Sequence, residues 1–174
     1  MDPIYPLVIS VLGAIGALGA AAAAFRAASA ARSAVRTQII LDFSKRDADP
    51  EMAHNIRVLW AFARESDGDL LERFTALASS DKNRYETIEN ARRLVHKFFL
   101  QLIQAKRLGL ITDEEIITCF YRHQFETVVN VLQPLERTTP GWPYTKPMFD
   151  EYARLYNNYD ALYKKRFGGS VSRK

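Results

Sequence analysis

At 174 residues the chain has room for an N-terminal anchor and one folded domain of about 120 residues, and a second domain does not fit. The formal net charge is +4, yet residues 47–174 hold 19 basic and 18 acidic groups, so the excess sits in residues 26–46. A nearly neutral folded part argues against nucleic acid as a partner, and a single cysteine, Cys119, excludes an internal disulfide.

Residues 4–25 run for 22 positions without a charged side chain. A helix rises about 1.5 Å per residue and the hydrocarbon core is about 30 Å thick, so roughly 20 such residues make one crossing. Residues 1–25 therefore read as a transmembrane anchor in contact with membrane lipids. Only Asp2 precedes the apolar stretch, whereas Arg26, Arg32, Arg36, Lys45 and Arg46 follow it. Basic flanks stay in the cytoplasm, which predicts a single-pass protein of the cell inner membrane with its N-terminus outside. A cleaved signal peptide is the rival reading, because residues 27–31 offer small side chains for cleavage, but such a peptide starts with a basic region that is missing here. Within the anchor, Gly13, Ala17 and Ala21, like Gly16, Ala20 and Ala24, recur every fourth residue. Such a small-residue stripe lets a second copy approach closely in lipid, so a homo-oligomer through Gly13, Gly16, Ala17 and Ala20 is a candidate assembly.

No later segment shows sustained period-2 alternation, and the chain reads as all-α. Residues 26–46 form a basic juxtamembrane helix, in which Val35, Ile39 and Phe43 extend the rhythm of the anchor to about Lys45. Residues 47–167 form the helical domain. Asp49-Pro50-Glu51 is a start signal, with an N-cap carboxylate before a proline suited to the first helical position. Met52, Ile56, Leu59, Trp60 and Ala63 give this helix one apolar face, and residues 66–69 break it. Leu70, Leu71, Phe74 and Leu77 mark a short helix. A long one from about Lys82 to Leu108 carries Tyr85, Ile88, Leu94 or Val95, Phe98, Phe99, Leu102 and Ile103, and Gly109 stands where a left-handed cap is wanted. Thr112 and Glu115 then form a capping box that opens a helix through Ile116, Phe120, Phe125, Val128 and Leu132, which Pro134 stops. After the Thr-Pro-Gly-Trp-Pro loop, in which Trp142 either recognises a ligand or caps the core, a last helix starts near Pro147. It carries Phe149, Tyr152, Tyr156, Tyr159 and Tyr163. Residues 168–174 form a flexible tail.

Several residues carry chemistry worth testing. His96 and His123 lie on the two strongest helices, with Glu89 and Glu126 on the same faces, so antiparallel packing would bring the four together. A helical di-metal site needs Glu-x-x-His on paired helices; His123-x-x-Glu126 is reversed and Glu89 is two turns from His96, so no metal site is assigned. Cys119 and His123 are one turn apart, which would lower the thiol pKa if they met, but no orienting group accompanies them and a core cysteine is the simpler reading. Arg92 and Arg93 stand too close to His96 for the spacing of helical ribonucleases. Neither phosphate-binding glycine motif is present, so no cofactor is assigned. The Tyr-rich last helix, with Arg154 and Lys164 to Arg166 interleaved, has the makings of a base-stacking surface, and tyrosine packing explains it more simply.

Three stretches carry a family likeness: Arg36-Thr37-Gln38 into Asp42-Phe43; Ala91 to Gln101 leading to Leu108-Gly109-Leu110-Ile111-Thr112; and Phe149 to Leu155. With the short anchor and the Ala/Ser/Arg-rich helix before them, they resemble the bacterial domain-of-unknown-function family 4760. That resemblance implies a membrane-anchored helical protein and no activity or site residue. The expectation is thus one transmembrane helix leading into a cytosolic bundle of about five helices, centred on the long pair Tyr85 to Leu108 and Glu114 to Leu132. Its expected role is a membrane-tethered interaction or scaffold module. The alternative is a tethered helical enzyme or defence effector using His96, His123 or Arg93.

Overall fold

The computed structural model describes the backbone of residues 4–66, 69–137 and 139–167, and the side chains of 19–66, 69–137 and 139–166. The elements are α1 (Ile4–Asp47), α2 (Pro50–Arg64), α3 (Leu70–Ser80), α4 (Lys82–Arg107), α5 (Asp113–Cys119), α6 (Arg122–Glu126), a π-helical segment (Thr127–Leu132), α7 (Gln133–Glu136) and α8 (Trp142–Phe167). Among the described residues there is no strand, and the protein is all-α. The chain divides into two compact units, Met1–Ile39 and Ile40–Lys174.

The first unit is the greater part of α1, a helix whose side chains from Gly19 to Val35 are exposed. Among the described residues no helix is long and apolar enough to cross a membrane, so they do not support the span expected over residues 4–25. Most of that stretch's apolar content, and the Gly13, Gly16 and Ala17 of the proposed stripe, belong to side chains outside the described residues. Ala20 and Ala24 are exposed. The expected tail, residues 168–174, also lies outside the described residues.

In the second unit α4 is the centre, packed against α2, α3, α8 and the π-helical segment. Val95, Phe98, Phe99, Leu102 and Ile103 are at most 1% exposed, and each such side chain contributes about 1.5–3 kcal/mol on burial. Val95 takes the core position, and Leu94 is 44% exposed. The end of α1 belongs here: the Phe43 ring meets Phe98 edge-on at 5.8 Å, and the Arg46 guanidinium lies 5.3 Å from the Phe98 ring centre. Asp49 accepts a backbone N–H at a helix start, and Thr112 and Glu115 complete their box, as the sequence predicts; Asp69 and Asp81 do the same for α3 and α4. Gly109, at φ 70°, ends α4, where Leu110 N–H donates to Ala105 C=O at 3.0 Å.

Three boundaries differ from expectation. The helix opened by Thr112 is not continuous: Phe120 and Tyr121 are extended, and α6 begins anew at Arg122. Burial of Phe120, 3% exposed and edge-on to Phe98, together with the Gln124 side chain accepting the Tyr121 N–H, holds this break. Nor does Pro134 stop the chain. The wider turn from Thr127 to Leu132, closed by Gln133 N–H to Val128 C=O, leads into α7, so a residue without an N–H is accommodated and the helix reaches Glu136. Likewise α8 starts at Trp142 and runs through Pro147. The carbonyl that Pro147 leaves without a donor is that of Pro143, at an exposed helix start where water can reach it.

Candidate functional site

Glu89, His96, His123 and Glu126 do not come together. His96 instead meets a residue the sequence reading passed over: its Nδ1 lies 2.8 Å from Glu136 Oε1. Arg92 donates to both oxygens of Glu89, at 2.6 and 2.7 Å, and also to Glu136, while Arg93 donates to Glu89 at 2.6 Å. Thr139 Oγ1 is 3.2 Å from Glu136 Oε2. Glu136, Arg92 and Glu89 are only 2%, 7% and 8% exposed, so this cluster ties α4 to α7 inside the core. Burial by itself would raise the Glu136 carboxyl, but His96, Arg92 and Thr139 outweigh it and hold it below its ordinary value of 4.5. Burial is overcome at Glu89 in the same way, by Arg92 and Arg93. The His96 Nε2 is sealed from solvent without a partner among the described residues. Pro134, a helix stop by its local chemistry, hides Glu136 from the sequence pattern; its position next to Leu135, four residues after Leu132, is the available signal.

Cys119 closes α5 and His123 lies on α6, so the extended Phe120-Tyr121 pair removes the one-turn relation between them. Cys119 lines a small apolar cleft with Ile40, Phe43, Leu102 and Ile111, and burial pushes its thiol above the ordinary 9.0. Iodoacetamide at neutral pH is therefore expected to label Cys119 at least ~10-fold more slowly than free cysteine. Labelling at the free rate would contradict a half-buried structural thiol. Among the described residues no group of three His, Cys, Asp or Glu is placed to hold a metal ion.

His123 does belong to a concave site. An open groove of about 880 Å³ runs between α2 and α6, lined by Asp47, Ala53, Ile56, Arg57, Trp60, Ala61, Arg64, Tyr121, His123, Gln124 and Glu126. Its floor is fixed by hydrogen bonds. Trp60 Nε1 donates to Thr127 Oγ1 at 2.9 Å, and that hydroxyl donates onward to His123 C=O at 2.9 Å. On the α6 wall the Tyr121 ring, 71% exposed, lies nearly parallel to the His123 ring, at 16° and 5.9 Å between centres. Glu126 is engaged from its own side, by Arg122 at 3.6 Å and the Tyr156 hydroxyl at 3.3 Å. Arg57 and Arg64 make no ion pair among the described residues.

At one end of the groove stands Asp47. Gln124 donates to its Oδ2, while Oδ1 is sealed from solvent with no partner among the described residues. Burial pushes the carboxyl above its ordinary 3.8, against the weaker opposing effects of Gln124 and His123. A carboxyl whose folded value is raised adds stability only while protonated, below the ordinary value, and loses it as pH rises. Asp47→Asn, which removes the charge, is therefore expected to stabilise the protein at pH 7, with no gain near pH 3. Thermal unfolding at the two pH values tests this, and destabilisation at pH 7 would contradict it.

Comparison with protein families, with curated proteins and with solved structures finds no match for the chain, and the groove's meaning rests on its own chemistry.

Proposed function

We propose that this is a membrane-tethered helical interaction module whose partner site is the groove between α2 and α6. The observation that carries the reading is the groove itself, with Trp60 pinned in its floor, an exposed Tyr121–His123 stack on one wall and, on the other, arginines that are unpaired among the described residues. The tether rests on the sequence: the uncharged residues 4–25, followed by the basic excess of residues 26–46 that suits anionic headgroups on the cytoplasmic face of the inner membrane. Self-association through Gly13, Gly16, Ala17 and Ala20, and kinship with family 4760, belong to the same proposal.

The test is a C-terminally tagged chain, briefly crosslinked in its native membrane and recovered in mild detergent. The intact protein is expected in the membrane fraction with a stoichiometric second polypeptide, and a chain lacking residues 1–39 in the soluble fraction. An intact chain that is soluble, or that is recovered as a monomer with nothing crosslinked, would overturn the reading. The alternative, a tethered enzyme or effector, has weaker support because His96 and His123 share no partner and stand in different places; unchanged cellular activity of the double alanine variant would remove it.

A further inference from the structure

The groove's lining defines the chemistry of its occupant. Ala53, Ile56 and Trp60 follow one another along α2 at spacings of three and four residues, and all are half-buried. Leu59 and Phe62, on the core side of the same helix, are 0% and 1% exposed. So α2 carries an apolar face broader than the bundle covers, and the uncovered strip has the spacing with which helices pack on helices.

The charges beside the strip are unequal in kind. Both carboxylates of the groove are engaged from within, Asp47 by Gln124 and Glu126 by Arg122 and Tyr156. Arg57 and Arg64 are exposed and unpaired among the described residues, whereas Arg73, Arg84, Arg92, Arg93, Arg122 and Arg154 all have carboxylate partners. The two stand seven residues apart, which is two turns or about 10 Å along the helix axis. The exposed His123 adds a further nitrogen to the same rim.

We infer that the groove takes an acidic amphipathic helix from a partner protein. Its apolar row lies on Ala53, Ile56 and Trp60 and against the Tyr121 ring, and carboxylates about two turns apart meet Arg57 and Arg64. A basic helix would meet like charge there. A nucleic-acid backbone would satisfy the arginines and leave Ala53 and Ile56 without an apolar partner. The inference rests on the interaction-module reading and supplies its partner class.

The test uses the intact protein in mild detergent, immobilised through a C-terminal tag and panned against a displayed library of helical peptides. The expected result is enrichment of peptides with Asp or Glu seven residues apart beside a Leu, Ile or Phe row. The Arg57→Glu, Arg64→Glu double variant should bind those peptides at least tenfold more weakly and select basic ones instead. Both arginines are exposed, so an unchanged helical circular dichroism spectrum certifies its fold. No enrichment, enrichment without acidic bias, or binding unaffected by the charge reversal overturns the inference. If the membrane pull-down still yields a partner when the library fails, only the acidic-helix assignment falls; if both fail, the interaction-module reading falls with it.

Discussion

Glu136→Ala is expected to destabilise the protein by about 3–5 kcal/mol, a large part of a typical domain's stability, because it leaves the buried Arg92 without one of its carboxylates and His96 without its acceptor. Urea unfolding of the intact protein in mild detergent measures this. Glu136→Gln keeps an acceptor oxygen for His96 and turns an amide N–H toward the Thr139 hydroxyl, which can accept it, and should cost less than the alanine change. The same cluster sets an acid limit. Glu136 and Glu89 are held below 4.5, so the stability they contribute is fully present above that value and is lost as pH falls through their lowered folded values. The Gln variant, having one such carboxyl fewer, should show a shallower loss of stability below pH 4.5. A loss of under 1 kcal/mol for Glu136→Ala would mean the cluster is solvated, contrary to its burial.

The second large effect is expected at Phe98→Ala, at about 3–5 kcal/mol. Phe98 is 0% exposed and meets Phe43, Phe99 and Phe120 edge-on at 5.8, 5.2 and 5.9 Å, with Arg46 over its face. One ring thus joins the end of α1, the central α4 and the break before α6. Its loss should also loosen the Cys119 cleft, which shares Phe43 and Phe120, so iodoacetamide labelling of Cys119 should accelerate in the variant. Unchanged labelling would show that the cleft does not depend on Phe98.

Much of the fold was legible because local chemistry and packing agree. Asp49, Gly109 and the Thr112–Glu115 box are caps whose geometry needs only neighbouring residues, and each sits where the sequence placed it. What was not legible depends on distant contacts. The break at Phe120-Tyr121 exists because Phe98 and Gln124 hold it, and the passage through Pro134 needs a wide turn that no local residue announces. Glu136 was hidden beyond that proline, and with it the partner of His96. The groove was half visible: of the apolar face Met52, Ile56, Leu59, Trp60 and Ala63, Leu59 is in the core beside Phe62, while Ile56 and Trp60 stay half-buried. Periodicity finds an apolar face; it does not tell which part of the face the rest of the chain will cover.

The most direct measurement is photo-crosslinking in intact cells, with a light-activated residue at Tyr121 in the groove and, as control, at Tyr144, which is 87% exposed on α8. A partner site in the groove predicts one discrete adduct with a second protein from position 121 and none from 144. Adducts of equal yield from both positions, or none from 121, would contradict it.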